Sequence, residues 1–426
     1  MFTGEITKPI RILQVHNRYY SGLGGEDSVV ALELEMLRKR GHEVEQLLVS
    51  TSDLKDAHPF KILNAALSTP WSVSSYRMVQ RAIARFRPDV VHFHNTFPLL
   101  SPSVHWAAHE ARTAVVQTLH NYRMVCASGS LLLGDEPCEE CFGKIAVPAL
   151  RHKCYKDSFL ATFPVVAMQA VHRFLGTAHK KVDAFIALTE FAKAKMVQAG
   201  LPPERIFVKP NFAVDQAHTK RESNNIRQFA FLGKIFRYKG LDLLLEAWER
   251  LDDPNAKLVI AGEGPAKAEL EHRFPGSDRV AWLGWQDQTR AAEIVDQSHF
   301  LVLPSRALEG FPMVLVEALS AGTPSIVPRH GAFPQLVSDG RDGILFEPRD
   351  VDSLTSALTR SLQLSRPEWL EMSERCIRKY REFYTEEANY RVLLEIYERA
   401  IRSRMMEGFS GQFSDGDISG MAEKNS

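Results

Sequence analysis

The sequence predicts an α/β fold of two doubly wound, Rossmann-like domains facing each other across a cleft, and three observations carry that expectation. Short β-branched apolar runs alternate with helical patterns along nearly the whole chain. Those runs are continuously apolar rather than alternating, as expected of strands buried on both faces of a parallel sheet. A length of 426 residues also exceeds what one core usually supports.

In the first half, strands are expected at Ile10 to Val15, Val44 to Leu48, Val90 to Phe93, Ala114 to Leu119 and Ala184 to Leu188. A loop containing Gly22, Gly24 and Gly25 follows the first of them and leads into a helix beginning near Glu26. Composition turns polar from Asp215 to Asn225, between a strand-like FVKP and the next apolar run, and this sets the boundary between domains at 1–214 and 226–384. The second domain should hold strands at Gln228 to Leu232, Leu258 to Ala261, Val280 to Trp282, Phe300 to Leu303, Ser325 to Val327 and Ile344 to Phe346. From Ser373 to Ile401 the pattern is helical, with Thr385, Glu386 and Glu387 marking a fresh start. Residues 385–405 are expected to pack back on the first domain, and the Gly-, Ser- and Asp-rich segment 406–426 reads as a disordered tail.

Lys plus Arg and Asp plus Glu each total 52, so the formal charge is zero and nothing supports a nucleic-acid partner. No charged segment and long apolar run precede the first strand, so a leader peptide is not expected and the cysteines are read as cytosolic. The most apolar window, Phe159 to Leu175, is broken by Pro164 and closes on His172 and Arg173, short of a membrane span. It reads as a buried helix, the alternative being one that touches a bilayer surface.

The most informative stretch is PSRALEGFPMVLVEALSAG, Pro304 to Gly322. Pro312 suits a first helical turn and Gly322 a helix end, so Glu309 precedes the helix and Glu317 lies inside it. At about 1.5 Å per residue the two carboxylates sit about 7 Å apart along the axis. Free amides at Gly310, Phe311 and the first turn favour an anion such as a diphosphate, and ionised carboxylates beside it can grip hydroxyls. Taken alone, the pair could equally be a loop residue and an exposed helix position. Lys234 and Lys239, after the strand of FLGKIFRYKG, could converge on the same diphosphate, or be solvated charge. The glycine loop permits close backbone approach to a phosphate, although many strand-to-helix turns need glycine for geometry only, and it is not a GxGxxG fingerprint. His120 ends the strand of VVQTLHNYR and could hydrogen-bond a sugar hydroxyl, or be a satisfied core histidine; His92 and His94 of VVHFHN carry the same ambiguity, with packing favoured for His92.

Four of the five cysteines, Cys126, Cys138, Cys141 and Cys154, fall in one short insertion, and PCEEC supplies a knuckle at which two thiolates reach one metal. Structural zinc and free or packed thiols are the leading readings, with reversible redox chemistry behind them; Cys376 stands apart as packing. No Asp-x-Asp falls in a plausible metal position, so a divalent-cation requirement is not implied.

Together these segments resemble glycosyltransferase family 4, the retaining, sugar-nucleotide-dependent transferases of the GT-B fold. The likeness runs to about residue 400, through GHEV, PDVVHFHN, VVQTLHNYR, PNFAVD, FLGKIFRYKG, VIAGEGP, VAWLGW, LPSRALEGFPMVLVEALSAGTP and DGRDGILFEPRD in the family's order. The resemblance implies a UDP- or GDP-sugar donor. Glu317 would bind the ribose and Glu309 the transferred sugar. Lys234 and Lys239 would bind the diphosphate, with amides around Gly310, Phe311 and Pro312 and with Gly24 or Gly25, and His120 would sit against the sugar. It implies no protein nucleophile and no catalytic metal. The first domain would be the acceptor side, for a glycan or lipid-linked acceptor. The location would be cytoplasmic, with peripheral contact at the inner face of the plasma membrane. The cysteine insertion resembles a subgroup that assembles bacterial surface polysaccharide. Three positions depart from the family pattern: Lys234 for the usual arginine, Gln335 for glutamate and Asn121 for aspartate. A GT-B sugar-nucleotide epimerase and a non-catalytic nucleotide-sugar sensor are the rival readings.

Overall fold

A computed structural model of the chain describes residues 8–18, 25–54, 59–216 and 227–412. The first lobe holds β1 (Arg11–Arg18), β2 (Glu43–Ser50), β3 (Val90–Phe93), β4 (Ala114–Leu119), a small hairpin of β5 (Leu132–Leu133) and β6 (Glu136–Pro137), then β7 (Ala184–Ala187) and β8 (Ile206–Val208). Its six-stranded sheet runs β2-β1-β3-β4-β7-β8, parallel throughout. The second lobe holds β9 (Arg227–Leu232), β10 (Ala256–Ala261), β11 (Val280–Gly284), β12 (Phe300–Val302), β13 (Ser325–Pro328) and β14 (Gly343–Phe346). These run β11-β10-β9-β12-β13-β14, again parallel. Each strand expected from an apolar run is present, with its ends shifted by a few residues at most. The first half of FVKP also lies in a strand, β8, which ends at Val208.

Both sheets are covered on both faces, which is why their strands lack alternation. In the first lobe Leu13, Val15, Val91 and Phe93 pack one way, while Ile12, Val90, Val116 and Ile186 pack the other. In the second, Phe229, Phe231 and Leu258 face one core and Ala230, Leu232 and Val259 the opposite one. Strand order reverses between β1 and β3 in the first sheet and between β9 and β12 in the second. Open α/β sheets bind ligands beyond the carboxyl ends of strands at such reversals.

The helix Phe159–Phe174 differs from the expectation in two ways. It passes Pro164 without ending, because Ser158 caps its start and Val165, Val166 and Met168 bury one face. It is also not wholly buried: Leu160 is 83% exposed, Phe174 90%, and Phe159 and Phe163 are exposed beside them. No helix among the described residues is long and apolar enough to cross a membrane.

The helix Glu386–Gln412 begins where expected, with the Thr385 hydroxyl accepting from the Ala388 amide. Its Leu393, Ile396, Tyr397 and Ala400 are buried against Ile12, Val90 and Val116 of the first sheet. Helix continues to Gln412, so the expected tail is partly helical; its remainder, from residue 413, lies outside the described residues. The chain therefore passes between the lobes twice, once after β8 and once before this helix. The two passages touch: the Tyr380 hydroxyl donates to the Ala213 carbonyl at 2.9 Å, and the Ala213 amide donates to the Tyr384 carbonyl at 3.4 Å.

Candidate active site

Both reversals of strand order open on one cavity of about 1170 Å³, walled by the two lobes. From the second lobe come Lys234 and Lys239 after β9, Glu309 and Pro312 after β12, and Glu317 on the helix Met313–Ser320. Gly25, Glu26, Asp27 and His120 come from the first. Gly24 lies outside the described residues. At Gly25 an added Cβ would meet Met313 Cγ at 3.7 Å, and one at Gly310 would meet the His120 carbonyl at 4.0 Å, so the glycine turn, the histidine and the helix start are adjacent across the cleft.

Local rules fix each piece. Pro312 caps the helix with extended backbone instead of occupying its first turn, and Gly322 closes it at φ +66°. Among the described residues nothing accepts from the amides of Gly310, Phe311, Met313 and Val314, so this end is electropositive. Gly240 ends the short turn Arg237–Lys239 at φ +72°, and a Cβ there would lie 2.0 Å from the Pro304 carbonyl. Only glycine lets the Lys239 turn press against the strand that leads to Glu309.

Lys239 Nζ donates to Glu309 Oε1 at 2.7 Å, the side chains being 27% and 16% exposed. Ser305 Oγ donates to the same oxygen at 2.8 Å. Burial works against the charge of both groups, yet Lys239 holds the Glu309 carboxyl below its usual range, and Glu309 raises the Lys239 ammonium. Glu317 has no such partner among the described residues, and burial raises its carboxyl. His120 Nε2 lies 3.1 Å from His94 Nδ1, and burial followed by the neighbouring His94 and His16 keeps the His120 ring neutral.

Several residues escaped sequence reasoning. Glu26 lines the cavity, and its Oε1 accepts from Asn121 Nδ2 at 3.0 Å. That contact explains the departure at Asn121, since an aspartate there would face a second carboxylate. Gln335 Oε1 accepts from the Phe191 amide at 3.1 Å, so this departure joins the lobes and does not face the cavity. Asp27 Oδ1 lies 2.7 Å from buried His16 Nε2. A second cavity of about 330 Å³, lined in part by Met168, Gln169 and His172, shares His120 with the first. His92 is fully buried between Tyr397 and Thr118, as packing requires.

The four cysteines of the insertion are free thiols, each half-buried. Burial first, then the neighbouring Cys126, Cys141 and Cys138, push the Cys154 thiol up to about 11. They are not gathered tightly: among the described residues the group of metal-capable side chains with ligand atoms within 4.8 Å of one another is Glu33, His92 and His94. Cys376 is buried and donates to the Asp342 carbonyl.

Residues 23–215 match the model for Glycosyltransferase Family 4, and residues 215–383 that for glycosyl transferases group 1. The D-inositol 3-phosphate glycosyltransferase of Gordonia bronchialis is 26% identical over 95% of this chain and 91% of its own length. The phosphatidyl-myo-inositol mannosyltransferase of Mycolicibacterium smegmatis is 25% identical over 80% of this chain and 81% of its own. Among solved structures, Anabaena HepE with UDP-glucose superposes at a TM-score of 0.64, with 16% identity, over 91% of this chain and all of HepE. WaaG, a glycosyltransferase of lipopolysaccharide biosynthesis, gives 0.59 with 17% identity over 92% of this chain and 98% of its own. Two parallel sheets facing across a cleft, with matches spanning both lobes, settle the assignment: the chain is a glycosyltransferase of GT-B fold and belongs to glycosyltransferase family 4.

Proposed function

We propose that the protein moves a sugar from a UDP- or GDP-sugar to a glycan or lipid-linked acceptor with retention of configuration, in surface polysaccharide assembly. One observation carries the reading: Lys234, Lys239, Glu309, Glu317 and the free amides before Met313 share a single cavity with His120 and Gly25 of the opposite lobe. In this reading Glu317 accepts from the ribose hydroxyls. Lys234, Lys239 and the helix amides receive the diphosphate and stabilise its charge as the glycosidic bond breaks, in place of a divalent cation. Glu309 and His120 orient the sugar, and the departing phosphate oxygen takes the acceptor's proton on the face it leaves, so no side chain acts as nucleophile. Lys234 gives a point charge where an arginine would grip two oxygens. The acceptor reaches His120 through the smaller cavity of the first lobe.

The helix Phe159–Phe174 exposes Leu160, Phe163 and Phe174 and follows, in the chain, the exposed cations Lys144, Arg151, Lys153 and Lys156, and apolar side chains with cations beside them suit the surface of an anionic bilayer. A zinc ion at Cys126, Cys138, Cys141 and Cys154 would draw the four sulfurs together as thiolates and staple the insertion. Purified protein without stoichiometric zinc removes that part of the reading. For the main part, UDP- and GDP-sugars are screened for thermal stabilisation, and the best is incubated with lipid-linked glycan acceptors. Acceptor-dependent release of nucleotide with an unchanged anomeric configuration is the expected result. Isomerised donor without an acceptor, or an inverted product, overturns it.

A further inference from the structure

We propose that Glu33, buried two rings behind the cavity, is a positioning residue that fixes which nitrogen of His120 carries its proton, so that Nδ1 meets the substrate as a hydrogen-bond acceptor. The proposal rests on the placement of His120 against the transferred sugar.

Glu33 sits in the apolar stripe of the helix Gly25–Lys39 with Val29, Val30, Met36 and Leu37. A carboxylate in that stripe needs compensation, and it has it. Lys209 Nζ, itself 2% exposed, lies 3.4 Å from Oε2 and also donates to Asn389 Oδ1 at 3.1 Å. Gln14 Nε2 donates to Oε1 at 3.1 Å, and His92 Nδ1 lies 3.0 Å from it. Burial opposes ionisation, but His92, Lys209 and His94 outweigh it and hold the carboxyl well below its usual range. Three ligand atoms of Glu33, His92 and His94 gather here as at a metal site, yet the Lys209 ammonium already supplies the cation.

An ionised carboxylate only accepts, so every nitrogen facing it must carry hydrogen. His94 Nε2 lies 3.3 Å from Glu33 Oε1; the approach is poorly aligned, and among the described residues no other group reaches this buried nitrogen. A lone pair turned toward the anion would be repelled, so the proton is on Nε2. Burial keeps the His94 ring neutral, its pKa lowered to about 3, and its Nδ1 is therefore bare. Facing that bare nitrogen at 3.1 Å, His120 Nε2 must be the donor. The His120 ring is neutral as well, so its remaining nitrogen, Nδ1, keeps a lone pair. Among the described residues nothing bonds to it, and His120 lines both cavities. One anion thus sets two tautomers in series.

Glu33→Gln reverses the series. The amide oxygen of the glutamine stays toward Lys209 and its NH2 turns toward the rings, so His94 Nε2 becomes an acceptor and the proton on His120 moves to Nδ1. The test is 15N NMR of ring nitrogens in the full-length protein, with His120 assigned through His120→Gln. The proposal requires an unprotonated His120 Nδ1 in the wild type and a protonated one in Glu33→Gln. It also requires kcat to fall by about tenfold or more, with the affinity for UDP or GDP unchanged. A wild-type Nδ1 that carries hydrogen overturns the proposal even if the variant does not fold. So does a variant that loses activity while the His120 tautomer stays put, leaving the functional reading intact. Full turnover by His120→Gln would remove the reading and this proposal together.

Discussion

Lys239 Nζ lies 2.7 Å from Glu309 Oε1, so the cation assigned to the diphosphate and the carboxylate assigned to the sugar hold each other on the second lobe's wall of the cavity. A donor entering between them must share this contact, which couples leaving-group stabilisation to sugar orientation. Lys239→Ala is expected to lower kcat/KM by about 10²- to 10³-fold, the usual scale for losing one preorganised charge stabiliser. Glu309→Gln should lower kcat while nucleotide affinity holds or rises, because Lys239 is released. Since the two act as a unit, the double variant should lose far less than the product of the single losses. Steady-state kinetics of the four proteins decides, and strictly multiplicative losses would show the pair to be independent.

For Glu317 the expectation concerns binding. Glu317→Ala should weaken the preferred nucleotide about 10- to 100-fold, as expected for losing a charged acceptor of hydroxyl protons. Calorimetry with the 2′,3′-dideoxy nucleotide supplies the control: wild type and variant should bind it nearly alike, and an undiminished difference would place Glu317 away from the ribose hydroxyls.

The same residues set the pH dependence. Glu309 is held below its ordinary range, so its stabilising contribution is complete above the ordinary carboxyl pKa and is lost as pH falls through the lowered value. Lys239 is raised, so its contribution is complete below the ordinary ammonium pKa and is lost only as pH rises through the raised value. Between those limits the pair stays charged. Glu317, raised by burial, protonates first on acidification and then no longer accepts from two hydroxyls. Nucleotide affinity should therefore fall on mild acidification while the fold persists, and Glu317→Gln should flatten that response. A titration of Kd against pH in both proteins checks it.

Arg404, near the end of the last helix, pairs with Asp183, whose side chain is 1% exposed and whose other oxygen accepts from the Val115 amide at 2.7 Å. Arg404→Ala takes a cation away from a buried anion, and a loss of about 3 kcal/mol in urea unfolding of the first lobe is expected. A change below about 0.5 kcal/mol would mean that the remaining contacts of Asp183 compensate its charge.

Leu160→Ser with Phe163→Ser tests the membrane reading, since both side chains are exposed and neither lines the donor cavity. Sedimentation with anionic vesicles should drop about tenfold or more, on the scale of two apolar side chains withdrawn from the interface. Turnover of a water-soluble acceptor should be unchanged. Equal vesicle binding by both proteins would reject the contact.

Much of this was legible in the sequence, and what was not has a physical pattern. Doubly buried strands advertise themselves by continuous apolarity, and Pro312 with Gly322 bracketed the helix that carries Glu317. The spacing of Glu309 and Glu317 placed both near one helix start because that distance is local. Pairings between distant residues were invisible. Asn121 looked like a departure until Glu26, far away in the chain, proved to be its partner. Glu33 gave one readable signal, a carboxylate among Val29, Val30, Met36 and Leu37, but its partners come from two strands and from the segments just after β3 and β8. The reading of Pro164 as a break failed because a capped start and burial of one face outweigh the bond that proline removes.

The contact of Tyr380 and Tyr384 with Ala213 fastens both passages of the chain between the lobes at one point. Neither passage can shift against the other without straining those two hydrogen bonds, so a change in the angle between the lobes would pivot close to Ala213.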